Sequence, residues 1–262
     1  MVYIDRALCV GCGTCMRLCP MGVFMPGEKG PEIHPRRRCI QCMHCAGACP
    51  RKAIRFEALS VEETYPALSG EPLEDLIRSR RSIRHFSDRL PEKEVVQQAL
   101  DTAAYAPSGK NQRAFRHTVV WGKSKVEELR DKCMNLCLEY GEAPELPKLL
   151  AKGTDLLTCG APCMIVLHSP DDCLNPVLDS AVGMAQLELL LVHKGLGTCW
   201  GGYLRQVSDR FPEIRSYLGV PEGSHVRCAL MVGYAKGEKY PNPVWRPKTE
   251  ALWLEDCAWN GR

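Results

Sequence analysis

One pattern of cysteines is written twice near the amino terminus, and it constrains the rest of the chain. Cys9-Val-Gly-Cys12-Gly-Thr-Cys15-Met-Arg-Leu-Cys19-Pro20 is followed 30 residues later by Cys39-Ile-Gln-Cys42-Met-His-Cys45-Ala-Gly-Ala-Cys49-Pro50. Each run reads C-x2-C-x2-C-x3-C-P, the spacing with which thiolates hold a cubane iron–sulfur cluster. Three thiolates two residues apart wrap one cluster because the loop coils tightly. The fourth, just ahead of a proline that bends the chain, points toward the other cluster. The expected ligand sets are therefore crossed: Cys9, Cys12, Cys15 and Cys49 for one [4Fe–4S] centre, and Cys39, Cys42, Cys45 and Cys19 for the second.

A pair of zinc ribbons is the alternative reading, but zinc sites pair two short cysteine motifs across a longer spacer and do not call for a third cysteine and a C-P step. Over about the first 57 residues, with all eight cysteines and both prolines, the stretch resembles a bacterial two-cluster ferredoxin. Residues 1–58 hold nine Lys/Arg against four Asp/Glu, formally +5. Two oxidised clusters with their thiolates would add roughly four negative charges and nearly balance the module. Arg36-Arg37-Arg38, between the runs, reads either as a solvated basic turn or as a docking patch for an acidic electron donor.

The chain has 262 residues, enough for this module and one larger domain of about 190 residues with its own core. A net charge of +3 points neither to nucleic acid nor to a membrane surface. Eight of the 16 cysteines lie outside the two runs, at 133, 137, 159, 163, 173, 199, 228 and 257, mostly among apolar neighbours, and read as small buried hydrophobes. Free thiols beside oxygen-sensitive clusters suit a reducing, anaerobic cytoplasm. No secretory leader precedes the first cluster loop, and the longest apolar stretch, 181–192, is interrupted by Gln186 and Glu188, so neither export nor a membrane span is expected.

A polar stretch with two prolines and a glycine, residues 58–72, reads as a linker. Beyond it, in residues 73–262, periodicity predicts helices over 73–81, 91–105, 123–140, 179–194 and 211–218, and strands over 117–121, 161–168, 198–203 and 226–235. The 179–194 helix is apolar on most of its circumference, which requires burial in the core or against a second subunit. The last segment carries Pro241, Pro243 and Pro247 with Trp245, Trp253 and Trp259, and is expected to pack on a neighbour.

Three constellations in this larger part converge on one ligand. Arg80-Arg81-Ser82-Ile-Arg84 gathers guanidinium groups and a hydroxyl where a helix ends, the donors that a phosphate needs. Ala106-Pro107-Ser108-Gly109-Lys110-Asn111 is a sharp polar loop, and Gly195-Leu-Gly-Thr-Cys-Trp-Gly201-Gly202 is a strand whose paired glycines let a planar ligand approach the backbone. Taken singly, they also fit a solvated basic helix end, a common turn and a sheet bulge. In this order and spacing the set resembles the FMN-dependent nitroreductase family over about 73–254. The resemblance implies an α+β fold, a domain-swapped homodimer and FMN at the dimer interface. It assigns the FMN phosphate and ribityl chain to Arg80, Arg81, Ser82 and Arg84, with Arg84 near the ring. Pro107, Ser108 and Asn111 would reach the flavin from the partner subunit, the backbone N–H groups of Gly201 and Gly202 would face N5 and O4, and Arg246 would close on the phosphate. The family's usual N-x-Q-P-W is here Asn111-Gln112-Arg113-Ala114-Phe115, and 133–158, which supplies much of the family's substrate cover, carries no recognisable motif.

No G-x-G-x-x-G and no Walker loop is present, so no Rossmann nucleotide site is encoded. The expected activity is a relay: an external ferredoxin or NAD(P)H supplies electrons, the clusters pass them singly, and FMN delivers hydride to a nitroaromatic or similarly electron-poor small molecule. An enone, quinone or halogenated aromatic as acceptor is the alternative with the same cofactors. A non-enzymatic one-to-two-electron carrier between redox proteins is the alternative from another class.

Overall fold

In a computed structural model, which describes residues 1–237, 239–240 and 242–253, the cysteine-rich segment forms a small two-fold repeat. Its elements are β1 (Val2–Ile4), α1 (Thr14–Leu18), β2 (Phe24–Gly27), β3 (Gly30–Ile33), α2 (His44–Ala48) and β4 (Ile54–Phe56). Strand β1 pairs antiparallel with β4, Val2 opposite Phe56, and β2 with β3, Phe24 opposite Ile33. Both short helices start after a left-handed residue, Gly13 at φ 72° and Met43 at φ 63°. That conformation is free for glycine but costs energy for methionine. Met43 tolerates it because its side chain is buried with Val2, Val23, Phe24, Ile54 and Phe56.

The stretch expected to be a linker is partly built into this module. Ser60 Oγ accepts from Glu63 N at 3.0 Å while Glu63 Oε2 accepts from Ser60 N at 2.7 Å, a capping box that starts α3 (Val61–Thr64). Tyr65, next in the chain, is buried in the module's core, its hydroxyl donating to Ile54 O at 2.9 Å. The S-x-x-E signature was present at 60–63, but polar composition and the nearby prolines masked it.

The larger part contains α4 (Pro72–Ser79), α5 (Lys93–Ala103), β5 (Arg116–Trp121), α6 (Lys123–Tyr140), α7 (Glu145–Leu150), β6 (Cys163–Pro170), α8 (Pro176–His193), β7 (Gly197–Trp200), α9 (Gly202–Arg210), α10 (Pro212–Tyr217) and β8 (Ser224–Gly233). The four strands form one antiparallel sheet in the order β5-β6-β8-β7. Both faces are covered, and the period of two in the sequence divides the core. Met164 and Val166 of β6 join Ala229 and Met231 of β8 under α6, α9 and α10. Ile165 and Leu167 join Leu230 and Val232 under α5 and α8. Each such aliphatic side chain contributes about 1.5–3 kcal/mol on full burial, and this two-sided packing fixes the register of β6 and β8.

Two elements differ from the sequence reading. The chain leaves the sheet at Trp200 and enters α9 at Gly202, where a strand through Tyr203 was expected. Gly201, at φ −93° and ψ 60°, makes the sharp bend between the two. Of the proline-studded arm, expected to pack on a neighbour, residues 242–245 strap the chain's own cluster module. Asn242 Nδ2 donates to Cys49 O at 2.9 Å, Val244 is buried and Trp245 packs against the module's core. Backbone carbonyls at the end of α2 need donors, and an asparagine amide supplies them within the chain. Trp253 is exposed, while Pro241, Leu254, Cys257 and Trp259 lie outside the described residues.

Candidate redox site

The eight cysteines of the two runs line two separate cavities, and the division is the crossed one. Cys9, Cys12, Cys15 and Cys49 surround the first together with Gly13 and Pro50. Cys19, Cys39, Cys42 and Cys45 surround the second with Val23, Phe24 and Met43. Among the described residues no group of three or more His, Cys, Asp or Glu converges on one point closely enough for a single ion. Four thiols around a cavity suit a polynuclear group, in which each sulfur meets a different iron. Burial pushes the Cys15 thiol up to about 11 and raises Cys45 well above the ordinary thiol value, so these sulfurs need a cationic partner to ionise. Backbone N–H groups already point at the sulfurs: Val23 N donates to Cys19 Sγ at 3.2 Å, Gln41 N to Cys39 Sγ at 3.3 Å and Ala53 N to Cys49 Sγ at 3.2 Å. Such bonds tune cluster potentials.

The second cavity abuts a larger cleft of about 590 Å³, lined by Leu18, Cys19, His44, Ser82, Arg84 and Leu156 among others. Arg84, Leu156 and Cys159 also border a neighbouring cavity of about 340 Å³ with Trp200, Gly202, Tyr203 and Gln206. The first and third sequence constellations thus meet at Arg84. Of the segment expected to cover substrate, Gly153–Leu156 reaches the cleft, whereas Cys137 and Glu142 line a separate cavity near Arg210.

His44 was missed by sequence reasoning, which saw only a residue between two cluster cysteines. It is buried, and its Nε2 lies 3.2 Å from Ser82 O and 3.5 Å from Arg84 Nη1. One tautomer donates to the carbonyl and the other accepts from the guanidinium. Burial, reinforced by Arg84, holds the imidazole down at about 4.

Arg81 is buried too, its Nη1 donating to the carbonyls of Arg78 and Arg80 while Nε and Nη2 have no partner. Burial and then the charges of Arg246 and Arg80 bring it down to about 10. Unpaired donors on a buried cation favour an anion as neighbour. Arg80 pairs with the buried Glu188 of α8 at 3.1 Å, and Glu188 also accepts from Thr198 Oγ1 and Trp200 Nε1. Arg246 Nη2 donates to Cys42 O at 3.4 Å, on the second cysteine loop, and its charge acts on Arg81 beside Ser82.

The paired glycines separate in role. Gly201 N donates to Ala229 O at 2.8 Å, completing the edge of the sheet, so this N–H is not free for a ligand. Gly202 opens α9, where first-turn N–H groups lack intrahelical partners, and a Cβ built on it meets nothing within 4 Å. Of the second constellation, Ser108 Oγ accepts from Arg113 N at 2.9 Å, Asn111 Oδ1 accepts from Arg113 Nε at 2.9 Å, and Gly109 N donates to Asp179 at the start of α8. Glu188, beside Arg80, is nine residues farther along that helix, about 14 Å at the helical rise. Within one chain Pro107, Ser108 and Asn111 therefore stand apart from the cleft at Arg84.

Fold and site together define an oxidoreductase built from an iron–sulfur module and an antiparallel α+β domain. Residues 77–234 match the model of the nitroreductase family and residues 8–54 that of a 4Fe-4S dicluster domain. The chain belongs to the nitroreductase family, with a ferredoxin-type module fused at its amino terminus. It is 28% identical over 165 residues to a putative NADH dehydrogenase/NAD(P)H nitroreductase of Archaeoglobus fulgidus, a match that covers 63% of this chain and 86% of that protein. Its amino-terminal part is 38% identical over 61 residues to an uncharacterized ferredoxin of Methanocaldococcus jannaschii, 22% of this chain and 79% of that one. The crystal structure of a nitroreductase with bound FMN from Desulfitobacterium hafniense superposes with a TM-score of 0.60 at 26% identity, covering 71% of this chain and 99% of that one.

Proposed function

We propose that the chain reduces a nitroaromatic or similarly electron-poor small molecule with FMN, using electrons that arrive singly through two [4Fe–4S] clusters. The observation that carries this reading is the shared cleft: Cys19, at the end of the first cysteine run, and Ser82 and Arg84, of the phosphate-seeking segment, line the same cavity. FMN fits the donors present. Arg81 offers its unpaired buried Nε and Nη2 to a phosphate, and Gly202 leaves backbone exposed where a planar ring can approach. When bound, FMN supplies hydride at N5. Around it, Arg84 places positive charge at the cleft, the Gly202 N–H is a donor for the ring edge, and the 153–156 segment with Leu156 walls off water. The neighbouring cavity of about 340 Å³ at Arg84, Trp200 and Tyr203 leaves room for a small acceptor beside the flavin, which supports catalysis over a carrier role.

The same reading makes the protein a homodimer in which the partner subunit supplies Pro107, Ser108 and Asn111 to the flavin. In support, α4 buries none of its residues although Leu73 and Ile77, 64% and 52% exposed, lie on one side of it. Val177 and Leu178 of α8 are each 63% exposed as well.

Anaerobic stopped-flow reduction tests the proposal. Reduced ferredoxin should bleach the clusters and then the flavin, and a nitroaromatic should reoxidise the flavin. Flavin that is reduced faster by NADPH than by ferredoxin, with no change after cluster removal, sinks the relay.

A further inference from the structure

The two cysteine runs share their cysteine and proline positions, and one of the places where they differ points to the direction of electron flow. The residue ahead of the third cysteine is Thr14 in the first run and His44 in the second. Thr14 Oγ1 stays within its own module, bonded to Cys12 Sγ and Arg17 Nη2. His44 instead leaves the module. It lines the cavity of Cys19, Cys39, Cys42 and Cys45 and also the cleft of Ser82 and Arg84, with Nε2 at 3.2 Å from Ser82 O and 3.5 Å from Arg84 Nη1. Tyr240 holds the ring edge-on at 5.8 Å. Cys12, on the opposite cavity, is exposed to solvent.

Resting on the cofactor assignment above, we propose that His44 is the bridge by which electrons pass from the second cluster to the flavin, the first cluster being the entry point. His44 is a positioning residue in this role: it closes the gap between the Cys45 loop and the backbone at Ser82 with bonded contacts in place of empty space. When loaded, each reduced cluster would give up one electron, the flavin would gain two together with two protons from solvent, and an external one-electron donor would restore the clusters.

The test uses the anaerobically purified full-length holoenzyme, dithionite as donor, and three variants, His44→Ala, His44→Phe and His44→Gln, each assayed for iron, sulfide and flavin. In His44→Phe the cluster phase should be unchanged and the flavin phase slowed about tenfold or more. His44→Gln, whose amide puts a polar atom near the place of Nε2, should recover most of the rate. Cluster midpoint potentials should be the same in all loaded variants. If His44→Phe, fully loaded, passes electrons as fast as wild type, the bridge is wrong while the relay stands. Equal slowing in the Phe and Gln variants with loss of iron or flavin would make His44 a packing residue and overturns it too. If wild-type clusters are reduced and the flavin stays oxidised, the relay itself fails and the bridge with it.

Discussion

Arg80 Nη1 lies 3.1 Å from Glu188 Oε1, joining the segment that follows α4 to the buried face of α8. The same carboxylate accepts from Thr198 Oγ1 at 3.1 Å and Trp200 Nε1 at 2.9 Å. One side chain therefore ties three separate stretches together just behind the cleft. Removing the charge leaves Arg80 without its counter-ion in a half-buried place. Glu188→Gln should destabilise the protein by about 2 kcal/mol, read as a melting temperature lower by about 4–8 °C. An unchanged melting curve would show that the pair contributes nothing.

Arg81 presents two buried nitrogens, Nε and Nη2, with no partner, and Arg84 borders both cavities of the cleft. On the proposed assignment, replacing either with alanine removes a charge-assisted bond to the flavin worth about 1.5–3 kcal/mol. Fluorescence of flavin released on dilution should show affinity falling by about ten- to a hundredfold. Variants that purify fully loaded and stay loaded contradict the assignment of the first constellation.

Under the proposed crossed ligation, opposite cysteines report on opposite clusters. Cys49→Ser should damage the centre lined by Cys9, Cys12 and Cys15, and Cys19→Ser the centre lined by Cys39, Cys42 and Cys45. Electron paramagnetic resonance of the reduced variants, with iron counts, distinguishes the two. Each substitution damaging the cluster of its own run would reverse the pairing.

On the proposed homodimer, a negative charge on α4 should separate the subunits. Ile77→Glu is expected to turn a dimer into a monomer by light scattering and to release flavin, because Pro107, Ser108 and Asn111 would no longer reach it. A loaded wild-type monomer excludes the exchanged architecture.

Burial holds His117 down at about 4, with His168 and Arg116 lowering it further. A histidine neutral in the fold and titrating near 6.5 when unfolded contributes its stability above that pH and loses it as pH falls toward the folded value. Between pH 7 and 5 the wild type should lose on the order of 1–2 kcal/mol from this group. Denaturant midpoints of His117→Phe should fall less steeply over the same interval. Parallel slopes would remove His117 from the account.

Much of this molecule was legible in the chain because its signals are local. A cysteine spacing is a statement about one loop, so the iron–sulfur motif needed no tertiary context, and the long periodic helix over 123–140 appears with the bounds expected. Helix α9 was hidden because Trp200-Gly-Gly-Tyr continues an apolar strand until a glycine bends it away. Glu188 was read only as an interruption of an apolar run, since nothing in a sequence says that an arginine 108 residues earlier will face it.

By itself the sequence determined the chemistry at each place: eight thiols in two matched loops, three arginines and a serine after a helix, a glycine pair after a strand. Tertiary structure alone decided which of these share a cavity. It set Cys19 and His44 against Ser82 and Arg84, took the N–H of Gly201 for the sheet and left that of Gly202, and turned the carboxyl-terminal arm back onto its own cluster module. Those choices depend on contacts between residues tens to hundreds of positions apart. They are selected by packing each module's apolar side chains into its own core and by pairing most buried polar groups, which no local pattern encodes.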